Sequence, residues 1–429
     1  MSARNRELFG LVPAALLVTA GFAGVFIQRQ NVLSNVSLTY GAIFLGLCLA
    51  AHICIRLTLP HADPYMFPLV ALLASFGIVM VYRIDATLAR QQAQWFVVGL
   101  ILFVATIIVF RDYRKLERYR YTIVAVSLVL LILPRMPGIG ARVNGAYLEI
   151  RVPGGLSFQP TEVSKLGLVI FLASYLRDTR QVMVLGARRI LGVTLPPLKH
   201  FGPVLVIWGL AMLALVLLSD IGSSLMFYGA LLSMLYVATG RLSFVVIGLL
   251  AFVLGAWYLG THIPHVHARF EDWQHPFNPR LYNALGGSFQ VANGIFAQAA
   301  GGLFGQGFGQ SILSLIPYSQ TDMIYAVITN ELGLFGATAV LLTYLLFVFR
   351  GFKAATMSRD SFSTLLATGL SAVFALQVFV IVGGVTRVIP LTGVTLPFIS
   401  YGGASIVANF VLLALLLLVS DRARRPVAR

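Results

Sequence analysis

Four ionisable side chains interrupt stretches that are otherwise too apolar to carry charge: Glu162, Lys165, Asp220 and Glu331. Charge in such surroundings is expensive and is usually kept for function. A fifth, Asp322, stands just before a long apolar run. It follows the glycine-rich stretch Gly301-Gly-Leu-Phe-Gly-Gln-Gly-Phe-Gly309 and a polar knot, Tyr318-Ser-Gln-Thr321. A carboxylate held there could take a proton from a reacting hydroxyl. Read alone, it could equally cap a helix, with Thr321 as the N-cap. Glu162 and Lys165 are three residues apart, so on a helix they share a face and can pair. That pair either stabilises its helix or aims the ammonium at a phosphate. Arg142, Arg151, Arg269, Arg280 and Arg387 lie in loops. Arginine's planar fork suits a diphosphate, though solvated loop charge is the alternative for each. Arg142 and Arg269 sit in the better contexts. Asp220, at a turn between two apolar runs, reads as a helix cap. Glu331 lies on the helix face opposite Asp322 and is expected to bond a neighbouring element. The histidines His262, His265, His267 and His275 match no zinc spacing. Cys48 and Cys54 share one apolar run and form no disulfide framework.

The elements that must position these groups are membrane helices. The chain has 429 residues, 58% hydrophobic and only 11% charged, against roughly 25% charged in soluble proteins. Twelve apolar runs could each span a bilayer. They fall at about 9–27, 38–58, 66–82, 92–110, 121–134, 161–177, 202–218, 222–239, 243–261, 323–349, 362–385 and 404–420. The fold class expected is therefore all-α, a polytopic membrane protein with about twelve transmembrane helices and a large outer loop between spans nine and ten. No cleavable signal is evident, so the first run is read as a mature span. No internal repeat of the transporter kind is visible.

The net charge of +16 could suggest a nucleic-acid partner. Its distribution speaks for topology instead. With both termini in the cytoplasm, 21 of the 31 basic residues fall on that side and nine in the outer loops. That is the asymmetry expected of an inner membrane protein. Both termini are thus expected in the cytoplasm, with the loop 262–322 outside. No nucleic acid is expected, and the lipid bilayer is the first partner. The C-terminal arginines suit contact with anionic head groups. The stretch Pro390–Gly403, with two prolines and three glycines, argues against a simple helix at an outer span boundary. Irregular backbone at membrane depth needs a protein or cavity wall to cover it. A cavity wall opposite Asp322 is expected.

Five stretches together resemble the SEDS family (shape, elongation, division and sporulation proteins, of the RodA and FtsW type). They are Phe158-Gln-Pro-Thr-Glu162 with Lys165; Asp220-Ile-Gly-Ser-Ser224; the glycine stretch 301–309; Thr321-Asp-Met-Ile-Tyr-Ala326 with Glu331-Leu-Gly333; and Gly393-Val-Thr-Leu-Pro-Phe-Ile-Ser-Tyr-Gly-Gly403. They occur in family order across about residues 66–421. The resemblance implies a core of ten spans at 61–429, so that residues 1–60 would form two extra N-terminal helices. It implies a peptidoglycan glycosyltransferase that polymerises lipid II for cell elongation or division, in the bacterial cell membrane, and it leans towards the RodA-like branch. The family's essential aspartate falls on Asp322 and its acid–lysine pair on Glu162 and Lys165. Departures touch secondary positions: Val143-Asn-Gly-Ala-Tyr147 lacks an expected Trp, Met323 replaces a Phe, Asn330 a Glu, and Tyr318 follows Pro317 where the family has Glu.

The mechanism this implies has Asp322 as general base on the acceptor's 4-hydroxyl, which attacks C1 of the donor MurNAc. Inversion follows, and undecaprenyl pyrophosphate leaves. Arg142, Glu162, Lys165, Arg269 and Thr321 are the expected substrate-binding residues. A divalent cation (Mg or Mn) would be compatible with diphosphate chemistry, but no metal ligand set can be read and no other cofactor is implied. A class B penicillin-binding protein, a transpeptidase, is the implied partner. The alternatives are a lipid II flippase and a non-catalytic scaffold for a cell-wall synthase.

Overall fold

In a computed structural model, the chain is described at residues 2–30, 35–143, 146–152, 156–185, 188–190, 193–195, 198–284 and 286–426. Its helices are α1 (Ala3–Gly10), α2 (Val12–Gln30), α3 (Asn35–Thr58), α4 (Met66–Ile84), α5 (Ala86–Val109), α6 (Arg120–Ile132), α7 (Pro160–Leu185) and α8 (Leu198–Leu218). They continue as α9 (Ile221–Thr239), α10 (Leu242–His262), α11 (Pro264–Gln274), α12 (Pro279–Tyr282), α13 (Phe289–Gly301), α14 (Ile324–Met357), α15 (Ser361–Val385) and α16 (Gly403–Arg424).

Among the described residues, nine helical stretches are long and apolar enough to cross a membrane. The other three apolar runs of the sequence lie on α6, α7 and α8. The bundle has a protected centre and a lipid-exposed rim. In α16 and α15, 94% and 83% of the apolar window is buried within the protein, against 11% in α10. Tails of lipid are as apolar as leucine, so helix contact here depends on close packing more than on escape from water. Gly99 of α5 accordingly lies against Phe410 of α16, and Gly369 of α15 against Met234 and Val169.

Both termini lie at one end of the bundle. Arg4 bonds the Ala62 carbonyl, and the Asp63 amide donates to Ser420 Oγ at 3.0 Å. The opposite, distal end holds the start of α14 and the connection from α15 to α16.

Three features of the distal end go beyond the sequence reading. The loop 262–322 is largely helical, containing α11, α12 and α13. Strands β1 (Gly140–Val143), β2 (Ala146–Val152) and β3 (Leu156–Phe158) form an antiparallel sheet in the order β1-β2-β3. The alternation in β2 of Tyr147, Glu149 and Arg151 with Leu148, Ile150 and Val152 is its sequence signature. This sheet delivers the chain to Pro160, the first residue of α7. Beyond the far end of α7, at the terminal end of the bundle, a separate two-stranded ribbon pairs β4 (Arg188–Ile190) with β5 (Val193–Leu195). Finally, α14 is broken at Gly333, whose φ of 67° suits glycine and ends one helical piece before the next begins.

Candidate active site

Asp322 lies two residues before α14. Thr321 is not the N-cap that the sequence suggested: Met323 holds that position, and no side chain caps the helix. The reason is a tight turn just upstream. Tyr318 adopts a φ of 53°, and its carbonyl accepts from the amides of both Thr321 (3.0 Å) and Met323 (3.1 Å). The turn holds Asp322 off the helix end and turns it into the protein. The short piece that follows, 324–331, is buried at every position.

The second irregular segment closes on this turn. Ser400 Oγ donates to the Thr321 carbonyl at 2.8 Å and the Tyr401 amide to the Gln320 carbonyl at 2.8 Å. A Cβ built on Gly393, itself at φ 74°, would sit 3.5 Å from Asp322 Oδ2, so the backbone runs directly beside the carboxylate. The segment also reaches inward. Gln377 donates to the Thr395 carbonyl at 3.0 Å and Gln92 to the Ile399 carbonyl at 3.4 Å. Gln377 lies eight residues before the end of α15 and Gln92 six after the start of α5. At 1.5 Å per residue, the segment dips roughly 9–12 Å below those helix ends. Phe398, at its lowest part, has a φ of 63°. Such backbone persists only where the surroundings over-determine it.

Arg269 of α11 is the charge centre of the site. Its Nη1 donates to the Leu391 carbonyl at 3.0 Å, and the residue is half-buried. Its charge acts on Asp322, Asp220 and Asp272 together. Burial pushes the Asp322 carboxyl up from 3.8 to about 6, opposed by Arg269 and the Thr321 hydroxyl. Burial likewise raises Asp272 to about 6, with Glu271 adding to the rise and Arg269 opposing it. Asp220 is raised by burial as well, and it caps α9 as the sequence suggested, accepting from the Ser223 amide at 3.0 Å and Ser223 Oγ at 2.7 Å.

Glu162 and Lys165 form the ion pair expected from their spacing, at 2.5 Å. Their setting was not legible. Lys165 is only 1% exposed, and its ammonium also donates to Gln377 Oε1 (2.7 Å) and Asn409 Oδ1 (3.3 Å). Three acceptors thus take its three protons, and the ammonium is turned to protein, not to open space. Gln377 returns a bond to Glu162 Oε1 at 3.2 Å, and Asn409 donates to Ser405 Oγ at 3.2 Å. This network joins α7, α15 and α16 to the carbonyl of Thr395. Gln377 and Asn409 could have been noticed as lone amides in apolar runs.

Glu331 bonds a neighbouring element, as expected of it. It lies 3.2 Å from Arg83 of α4 and accepts from the Gly309 amide at 2.9 Å. The Gly309 carbonyl receives Arg83 Nη2 and Gln28 Nε2, each at 2.5 Å. The glycine stretch is therefore pinned by α2, α4 and α14 just upstream of the Asp322 turn. Of the other sequence candidates, Arg387 is committed to the carbonyls of Trp273 and Gln274, and Arg280 is exposed. Arg142 lies on β1, its backbone opposite Tyr147, and its side chain is outside the described residues, as is that of Arg151. The two cavities described lie at the terminal end of the bundle, away from Asp322.

A half-buried acid with a raised pKa beside an arginine that has donors to spare can accept a proton from a hydroxyl while an anion is held nearby. This chain is similar to named relatives over most of its length. The peptidoglycan glycosyltransferase RodA of Mycobacterium leprae is 39% identical over 434 residues, covering 99% of this chain and 91% of the relative. Stage V sporulation protein E of Bacillus subtilis is 32% identical, covering 82% of this chain and 95% of the relative. A solved chain from a peptidoglycan synthase complex that coordinates polymerization and crosslinking superposes with a TM-score of 0.68 at 25% identity, covering 85% of this chain and 99% of that one. The family profile described as cell cycle protein, for FtsW, RodA and SpoVE, matches residues 63–425. The chain belongs to the FtsW/RodA/SpoVE family of cell cycle proteins.

Proposed function

We propose that this chain is a peptidoglycan glycosyltransferase that polymerises lipid II, with Asp322 as its general base. The observation that carries the reading is the placement of Asp322: held by the Tyr318 turn, beside the backbone of Gly393 and within reach of the charge of Arg269. The acceptor's GlcNAc 4-hydroxyl gives its proton to Asp322 as its oxygen bonds C1 of the donor MurNAc. The C1–O bond to undecaprenyl pyrophosphate breaks on the far face, so the linkage inverts. Negative charge grows on the departing diphosphate, and Arg269 is the cation best placed to meet it. Arg142 enters the same role from the sheet that precedes α7. Thr321 orients the acceptor next to Asp322. Glu162 and Lys165 act one step back: their network fixes the depth of the 390–403 segment that walls the site.

The distal end faces the outer side of the cell membrane and both termini face the cytoplasm, a reading that the charge asymmetry supports. Residues 1–60 form two membrane spans, α1 with α2 and then α3, added to a core at 61–429. A class B penicillin-binding protein supplies crosslinking, in keeping with the synthase complex to which the fold is similar. The identity with an elongation-type relative favours a role in cell elongation.

A base is active when ionised, and Asp322 titrates at about 6. The polymerisation rate on purified lipid II is expected to fall as pH drops through about 6, with the acid limb missing in Asp322→Asn. A parent rate that stays flat across that range removes Asp322 from the proton transfer.

A further inference from the structure

At the terminal end, four segments meet around a cavity of about 530 Å³. Five arginines line it: Arg111, Arg114, Arg359, Arg422 and Arg425. Only two carboxylates do so, Asp112 and Asp360, and both are partly spent. Asp360 caps α15 through the Ser363 amide (3.0 Å) and Ser363 Oγ (2.8 Å). Asp112 faces Arg422 at 3.7 Å. The floor is polar and fixed: Tyr113, buried, meets Ser363 Oγ at 2.5 Å. A smaller cavity of about 130 Å³ adjoins it, sharing Ser358, Arg359 and Asp360 and adding Arg180.

Arg425 is held by Asp421, donating from Nε (2.9 Å) and Nη2 (2.7 Å), and Arg422 lies between Asp112 and the Tyr113 ring, but the other three arginines are less committed. Arg111 has no hydrogen bond or ion pair among the described residues. Among the described residues, Arg114 has only a 3.8 Å contact to Glu117. Arg359 spends one nitrogen on the Arg425 carbonyl at 2.8 Å. A concave surplus of planar donors is suited to a phosphate ester, which each guanidinium can bind with two parallel hydrogen bonds.

We propose that this cavity binds the phosphodiester head group of an anionic phospholipid from the adjacent leaflet. Two features select a lipid over a soluble phosphate. Directly before Arg111, α5 exposes Ile108 (59%) and Val109 (71%), an apolar track for acyl chains leading to the cavity. Tyr119 and Tyr121 are exposed at the same end, and tyrosines of this kind mark the head-group level of a bilayer. The head group would tie the ends of α5, α14, α15 and α16 together. The last two of these carry Gln377 and Asn409, members of the network behind the distal site.

The test uses the full-length protein, delipidated in a neutral detergent. Short-chain phosphatidylglycerol, phosphatidylcholine and glycerol 3-phosphate are titrated separately, and retained ligand is read by native mass spectrometry. Phosphatidylglycerol is expected to bind saturably and to be displaced by salt. Arg111→Gln with Arg359→Gln should weaken it about 25-fold, at about five-fold per surface arginine. Arg111→Lys with Arg359→Lys keeps the charge but not the planar fork and should bind between the parent and the glutamine variant, which separates loss of the site from loss of the fold. Equal retention of phosphatidylglycerol by the parent and the double glutamine variant overturns the site. Equal retention of phosphatidylcholine and phosphatidylglycerol by the parent does the same. Binding of glycerol 3-phosphate as tight as that of phosphatidylglycerol overturns the lipid as the ligand.

Discussion

The two ends of this bundle use charge in opposite ways. At the distal end, the charged groups beneath the Asp322 turn are enclosed: Lys165 and Glu331 are each 1% exposed and Glu162 3%. Every one is bonded to an opposite charge, an amide or the main chain. At the terminal end, the arginines are numerous; around the cavity Arg114, Arg422 and Arg425 each face one carboxylate, and Arg111 and Arg359 face none among the described residues. The difference teaches what each end is built to hold. An enclosed ion pair costs much desolvation and is recovered only through complete hydrogen bonding. It sets geometry, and here it sets the depth of the segment beside Asp322. A solvated arginine costs little and sets no geometry, but it attracts anions. Arg269 stands between the two types, half-buried, near three carboxylates, with one bond to a carbonyl.

Several substitutions would break or sharpen that contrast. The largest stability effect is expected for Lys165→Met, which leaves Glu162 buried and without its cation. Breaking such a pair costs about 3–5 kcal/mol, and the melting temperature of the purified protein would show it. An unchanged melting temperature would mean that the network does not bear on the distal end at all. Next comes Arg269→Gln. Its charge holds the Asp322 pKa down, so its removal should move the acid limb of the rate profile upward. The rate should also fall at saturating lipid II, by about 10-fold or more for a lost transition-state contact. Anionic lipid retention at the terminal end should not change. A smaller effect is expected for Gln28→Ala, which removes one bond to the Gly309 carbonyl. A hydrogen bond is worth about 1 kcal/mol, so the rate should drop by no more than about five-fold. Equal turnover in that variant would show that Arg83 and Glu331 suffice to hold the glycine stretch.

The sequence displayed the helices well, because each apolar run is its own evidence. Asp322 was also legible, as a lone acid between a glycine-rich stretch and a span. What escaped were features made by distant partners. Lys165 bonds Gln377 and Asn409 from 212 and 244 residues away, and no periodicity reports such pairings. The N-cap at Thr321 failed because the Tyr318 turn, with its positive φ, outweighed local cap preference. The helices of the 262–322 loop were missed because short helices such as α12 carry too few turns to show a pattern.

The pKa of Asp322 adds a sign that separates function from stability. A carboxyl raised above its unfolded value favours folding while protonated, and that contribution is lost as pH rises through about 6. At neutral pH the ionised acid is therefore a strain on the fold, and a neutral amide there should not destabilise it. The most direct measurement compares Asp322→Asn with the parent on purified lipid II at neutral pH, with the melting temperature recorded alongside. The expected result is a loss of polymer of about 10²–10⁴-fold with the melting temperature unchanged or higher. Polymer formed at the parent rate by the folded variant would contradict it.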